Sequence, residues 1–366
     1  MQHARILVAP LDWGLGHATR CVPIITALLE RGAVPVIAAD GGPLALLRQE
    51  FPTLEHVRLP GLTIRYAKGG SQLWRMALQF PAMVRQVQAE QRAFERLRRS
   101  LRVDAVISDQ RFGVRAHDLP SILVTHQVFP FTPIAQNALR KLNLRHIARF
   151  DRCWVIDLPE APGLAGDLSH GDLPKNARYI GALSRMRRDT ATAGSATSRV
   201  EDADPLKVVA VISGPEPQRT LLERELLAQL QRIDGNHLLV RGVPQLAHET
   251  GEEHIGNVRV LPHASASLLA QLLQGAKLVV SRSGYTTLMD LASLGLSGLV
   301  VPTPGQEEQE YLGRLHGATG RFQVQRQGSI DIAQALDHRL PQPNGTNLGS
   351  QHLLYEALDE LGTLLR

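Results

Sequence analysis

Short apolar runs alternate with longer amphipathic stretches along nearly the whole chain. In the first half the runs are Arg5–Pro10, Val34–Ala38, Leu54–Leu59, Val103–Asp109, Ser121–Gln127, Cys153–Asp157 and Arg178–Leu183. Continuous apolar character, rather than strict alternation, marks strands covered on both faces of a parallel sheet. Helices are expected from the turn after Pro10 to about Arg31, after Asp40-Gly41-Gly42-Pro43, over Ser71–Arg102 with Pro81 as the place for a kink, and over Ile134–Arg149. The same grammar fills the second half. Strands are expected at Leu206–Ile212, His237–Val240, Val258–Leu261, Leu278–Val280, Leu299–Val301 and Arg321–Gln325. Helices are expected at Leu221–Gln231, Gly284–Leu294, Gln306–His316 and Leu353–Leu365. The fold class is therefore α/β, with two doubly wound domains and no sequence repeat. Between them, Asp189–Ser198 has no apolar period and reads as part of a flexible linker. The expected division is a first domain over 1–186, a linker over 187–204 and a second domain over 205–345. Residues 346–366 then form a helix packing back towards the first domain.

Composition narrows the class without choosing a function. The 366 residues are enough for two domains with their own cores, and 43% hydrophobic with 20% charged residues is the balance of a globular protein. No run approaches the ~20 apolar residues of a membrane span. Met1-Gln2-His3-Ala4-Arg5 leads straight into a strand rather than a signal sequence. Two cysteines, Cys21 and Cys153, suggest no disulfide framework and fit a reducing cytoplasm. The net charge of +5 favours anionic partners, among which charge alone does not discriminate.

The most chemically suggestive stretch is Lys277–Tyr311. A strand ends in Ser281-Arg282-Ser283-Gly284, and a helix opens at Tyr285-Thr286-Thr287 and carries Asp290. Unpaired first-turn N–H groups and the helix dipole make such a turn an anion cradle. Asp290 shares a helix face with Thr286 and Thr287, and a carboxylate there suits a ribose diol beside a bound phosphate. Read blandly, the same stretch is an ordinary strand–helix–strand crossover.

Arg282-Ser283-Gly284 through Asp290, with Val301-Pro302 and Gln309, resembles the donor site of GT-B glycosyltransferases, in particular the lipid-linked GlcNAc transferases of peptidoglycan synthesis. The resemblance implies two Rossmann-like domains facing across a cleft and a nucleotide-sugar donor, UDP-linked by preference. It assigns Asp290 to the uridine ribose and Gln309 to the sugar hydroxyls, and Glu310 stands where the family has a second glutamine. Ser213 and Gly214 match the loop facing the diphosphate, where Pro215 and Pro217 remove two N–H donors. Arg219 either compensates or is a surface arginine. Leu269 takes the place that packs on the nucleobase. Many retaining relatives carry a glutamate eight positions before the ribose acid. Here that position is Arg282, so inversion is expected, with Arg282 or Arg219 helping the leaving group. No cofactor and no metal are expected, since the nucleotide-sugar is a substrate. Asp202-Ala203-Asp204 lies in the linker without a third ligand.

Leu11-Asp12-Trp13-Gly14-Leu15-Gly16-His17-Ala18-Thr19-Arg20 lacks the third glycine of a dinucleotide fingerprint. It resembles instead the acceptor-side loop of the same transferases, with Gly14 and Gly16 allowing close approach of a ligand. His17, in the first helical turn, is expected to stay neutral and to act either as general base or as a loop hydrogen-bonder. Asp12 and Asp109 are the reserve bases. His126-Gln127, at the end of a strand on the acceptor side, resembles the histidine-containing edge of the transferase cleft, or the two are plain loop hydrogen-bonders. The Ser71–Arg102 helix carries seven arginines, from Arg75 to Arg102, with Trp74, Phe80 and Met83 near its start. It is either a solvated face or a surface for anionic lipid. The acceptor is not identified, a lipid-linked one being among the options, and no nucleic-acid partner is expected. A nucleotide-sugar epimerase and a non-catalytic nucleotide-sugar sensor are the alternative functions.

Overall fold

A computed structural model describes residues 1–12, 14–61, 72–132, 136–186, 205–214, 216–244, 251–342 and 351–365, with side chains 72–86 outside the description. The expected linker with Asp202 and Asp204, Trp13, Pro215, and the side chains of Trp74, Arg75, Phe80, Met83 and Arg85 thus lie outside the described residues. Two compact units are present, Met1–Leu183 with Leu348–Arg366, and Ser184–Asn347.

In the first unit, strands β1 (Arg5–Pro10), β2 (Val34–Ala39), β3 (Glu55–Arg58), β4 (Ala105–Asp109), β5 (Ser121–Thr125), β6 (Arg152–Val155) and β7 (Ala177–Tyr179) form one sheet. Its order is β3-β2-β1-β4-β5-β6-β7, parallel throughout. The direction of winding reverses between β1 and β4, where Pro10 lies opposite Asp109. Crevices at such reversals, beyond the strands' carboxyl ends, are where open α/β sheets bind ligands. Helices α1 (Gly16–Glu30), α2 (Gly41–Glu50), α3 (Gln72–Leu101) and α4 (Gln136–Ile147) connect the strands. Ile6, Leu7 and Val8 are fully buried, as continuous apolar strands require. Asp40, expected in a turn, caps α2 by accepting from Gly41 N.

The second unit repeats the plan with β8 (Val208–Val211), β9 (His237–Val240), β10 (Glu253–Ile255), β11 (Val258–Leu261), β12 (Leu278–Ser281), β13 (Leu299–Val300) and β14 (Gln323–Val324). Their order is β10-β11-β9-β8-β12-β13-β14, with the reversal between β8 and β12. Only β10 runs antiparallel among these described pairs. It was not expected, being a short edge strand with two polar residues of three. The helices are α5 (Gln218–Leu230), α6 (Ala266–Gln274), α7 (Tyr285–Leu294), α8 (Glu307–Ala318) and α9 (Ile332–Asp337). Helices α6 and α9 were not among the expected elements; Ser265 and Asp331 cap them by accepting from Leu268 N and Gln334 N.

Helix α10 (Gln351–Leu364) buries Leu354, Ala357, Leu358 and Leu361 in the first unit. Arg31 donates to Tyr355 O at 2.8 Å and pairs with Asp359 at 2.7 Å, while Arg178 pairs with Glu356 at 2.9 Å.

Candidate active site

The reversal point of the first sheet places two chemically active side chains, His17 and Arg20, on one carboxylate and a third, His126, against Arg20. Gly14, at φ +83 with open space where a Cβ would stand, turns the chain from β1 into α1. His17, one residue into that helix, thereby meets Asp109 at the end of β4, its Nδ1 2.9 Å from Asp109 Oδ2. One helical turn on, Arg20 donates through Nε to Asp109 Oδ2 at 2.8 Å and through Nη2 to Oδ1. Its Nη1 is 2.7 Å from His126 Nδ1, and its Nη2 is 2.8 Å from His17 Nδ1. The His17 side chain retains 14% exposure, against 1% for Arg20 and 0% for Asp109.

Electrostatics assign different tasks to these groups. Burial, reinforced by the Arg20 charge, pushes the His17 ring below its ordinary pKa despite Asp109. Burial and the neighbouring cation both favour the neutral ring. Burial would raise the Asp109 carboxyl, yet Arg20 and His17 outweigh it and hold the group at about 2. Asp109 therefore does not fit the role of reserve base: it is sealed from solvent behind His17, whose ring it orients.

Asp12, the other reserve, belongs to a separate cluster. It accepts from Asp40 N at 3.3 Å and lies 4.0 Å from Arg111 Nη1. Burial raises its pKa, with Arg111 opposing. Arg111 itself pairs with buried Glu90 at 2.7 Å and donates to the carbonyls of Leu59 and Pro60 at 3.0 Å each. This cluster ties together the ends of the first three strands. Beside the Asp109 cluster, Gln127 is half-buried, its N–H donating to Thr125 Oγ1 at 2.9 Å, and Gly16 opens α1.

In the second unit, the loops after β8 and β12 carry the expected donor residues, and Ser281 lies opposite Val211. Gly214 takes φ +109 beside half-buried Ser213. Gly284 caps α7 without a side chain, and half-buried Thr286 and Thr287 follow. Buried Ser283 donates to Gln309 O at 2.8 Å, locking the start of α7 to α8. Gln309 Oε1 accepts from Thr303 N, and Glu310 Oε1 from Gly305 N, both at 2.9 Å. Asp290 is 7% exposed and accepts from Ser184 Oγ at 2.5 Å. Burial raises its carboxyl to about 6, with the Ser184 hydrogen bond and the Arg185 charge opposing. Arg185 also acts on His263, which burial first and then this cation push down to about 4.

Three expectations for this unit need correction. Arg282 is 1% exposed and donates to the carbonyls of Gln218 at 2.8 Å, Val301 at 3.2 Å and Pro302 at 3.3 Å. It braces loops instead of facing a leaving group. Arg219 is held between Glu216 and Glu223, the latter at 3.0 Å, so its charge is already matched. Leu269 is 5% exposed and part of the core. Conversely, Arg20, Ser184 and Arg185, none of them expected in a site, contact or act on the expected residues Asp109 and Asp290. The i, i+3 spacing of His17 and Arg20 was the available signal for the first.

Residues 223–316 match the glycosyltransferase family 28 C-terminal domain. An uncharacterized glycosyltransferase of Methanopyrus kandleri is 22% identical over 76% of this chain and 79% of its own. A UDP-N-acetylglucosamine–N-acetylmuramyl-(pentapeptide) pyrophosphoryl-undecaprenol N-acetylglucosamine transferase of Neisseria gonorrhoeae is 24% identical over 76% of this chain and 72% of its own. Among solved structures, the glycotransferase of kitacinnamycin superposes with a TM-score of 0.66 at 14% identity, covering 100% of both chains. Among the described residues no helix is long and apolar enough to cross a membrane.

Proposed function

We propose that this chain, a glycosyltransferase of the GT-B fold, transfers a sugar from a UDP-sugar to an acceptor hydroxyl with inversion at the anomeric carbon. The observation that carries the reading is the His17–Asp109 contact at the mouth of the first sheet's reversal point. With Nδ1–H directed at Asp109, the Nε2 lone pair of His17 is available to a hydroxyl. The acceptor proton passes to Nε2 as the acceptor oxygen bonds to the anomeric carbon. The bond from that carbon to the β-phosphate oxygen breaks, and its electron pair leaves with UDP. Asp109 steadies the developing imidazolium without taking its proton.

The second unit supplies the donor site. Asp290 accepts a ribose hydroxyl, Gln309 and Glu310 meet the sugar, and the glycine-capped start of α7 receives the diphosphate. Charge on the leaving group is stabilised there without a metal ion. UDP is favoured by the match to the family 28 domain and by the UDP-sugar in the name of the gonococcal relative. Exposed Arg92, Arg96 and Arg99 on α3 support a location at the inner face of an anionic membrane and a lipid-linked acceptor.

The test is incubation with a panel of UDP-sugars and hydroxyl acceptors, with the new anomeric centre read by proton NMR. The expected product has inverted configuration and appears with stoichiometric UDP. A retained configuration, or an epimerised donor without any acceptor, contradicts the proposal.

A further inference from the structure

Arg20 is an unusual neighbour for a general base. It is 1% exposed, and its guanidinium reaches Asp109, His126 and His17 at once. A guanidinium only donates. The 2.7 Å contact from Nη1 therefore requires a lone pair on His126 Nδ1, which leaves the ring proton on Nε2. The His17 ring faces a choice. Its Nδ1 is 2.9 Å from Asp109 Oδ2 and 2.8 Å from Arg20 Nη2, and one nitrogen cannot donate to the first and accept from the second together. Donation to Asp109 leaves Nε2 open as a base; acceptance from Arg20 puts a proton on Nε2 and blocks it.

The two-point grip of Arg20 on Asp109 bears on this choice. Asp109 remains charged and so keeps drawing the Nδ1 proton of His17. At the same time Arg20, a cation beside the ring, opposes a second proton on it. The groups facing His17 are Arg20, Asp109 and His126, and the nearby Cys21 thiol, 4.0 Å from Asp109, is neutral because burial raises its pKa.

We infer that Arg20 is the positioning residue of this site: it fixes His126 as the Nε2–H tautomer and offsets the charge of Asp109, so that His17 is oriented by the carboxylate yet stays neutral. The role of His17 as base rests on the proposed function, whereas the protonation pattern does not. The test is therefore made first without substrates. Long-range proton–nitrogen NMR of the ring nitrogens, assigned with His17→Gln and His126→Gln, reads both tautomers and the His17 titration midpoint. Expected are unprotonated His126 Nδ1, unprotonated His17 Nε2 and a midpoint below the ordinary histidine value. Arg20→Gln should raise that midpoint by at least about one pH unit, because the Asp109 charge is then unopposed. Arg20→Lys, which keeps the charge, should hold it near wild type. Should Arg20→Gln not fold, the wild-type tautomers and Arg20→Lys still decide. A protonated His126 Nδ1, a protonated His17 Nε2 or an unmoved midpoint in folded Arg20→Gln overturns the inference. With a working acceptor, the acidic limb of kcat/KM should follow the same midpoints. If the midpoints behave as expected and transfer is absent, the inference stands and the reading of function fails.

Discussion

The hydroxyl of Ser184 donates to Asp290 Oδ1 at 2.5 Å, which places on the carboxylate the kind of group that a ribose would offer it. Ser184 Oγ in turn accepts from Met186 N at 3.0 Å, so the hydroxyl is held in place by its own chain. Asp290 is thus shaped to receive hydroxyl donors. It is also a buried carboxyl with a pKa raised to about 6.

Donor affinity should depend on the charge of Asp290. UDP binding is expected to be strongest above pH 6 and to weaken as the carboxyl is protonated below it. Ser184→Ala removes a hydrogen bond that favours the charged form and should move this midpoint upward. Asp290→Ala at pH 7.5 should weaken UDP by roughly 1.5–3 kcal/mol. Calorimetry showing equal affinity at pH 5 and 8 would remove the ribose role.

The same raised pKa implies a cost in stability. Because the folded-state value, about 6, exceeds the unfolded 3.8, the stabilising effect of this group is complete below pH 4 and is lost as pH rises through 6. Asp290→Asn should therefore stabilise the protein at pH 7, by up to about 3 kcal/mol, with the gain fading towards pH 4. Thermal unfolding at the two pH values tests the sign. A variant less stable than wild type at pH 7 would mean that the charged form is better accommodated than its burial implies.

Much of this architecture is legible in the sequence because fully buried parallel strands leave an unbroken apolar record, as in Ile6-Leu7-Val8-Ala9 and Leu278-Val279-Val280. Glu253–Ile255 left none, since an edge strand is specified by pairing more than by burial. The site was legible only in part. Glycine turns advertised Gly14 and Gly284 locally. The partnership of His17 with Asp109 depends on β1 and β4 being neighbours, a contact across 92 positions that no local pattern records. The partners of Arg282 are hidden for the same reason, because the three carbonyls that accept from it come from distant loops.

Arg282 supplies a discriminating variant. Arg282→Lys keeps the charge but cannot reproduce the forked donation to those carbonyls. It should lower unfolding stability by roughly 1–3 kcal/mol, the range for buried polar groups left unpaired. UDP affinity of the folded protein should change little. Unaltered urea stability with lost UDP binding would return Arg282 to the diphosphate.

Anionic vesicles test the membrane reading. The exposed arginines of α3 should make binding steeply salt-sensitive. Charge reversal at Arg92, Arg96 and Arg99 together should abolish sedimentation with vesicles while leaving UDP affinity intact. Absence of co-sedimentation even at low salt points to a soluble acceptor.

The central claim, that His17 is the base, is tested most directly by His17→Ala with donor binding and transfer measured on the same preparation. The two readouts should separate because Asp290 and Gln309, to which the proposed function assigns the donor, belong to the other unit. UDP-sugar affinity should remain within about twofold, and transfer should fall 10²–10⁴-fold, roughly 3–5 kcal/mol of barrier. Transfer within about threefold of wild type, a difference of under one kcal/mol, would contradict the account.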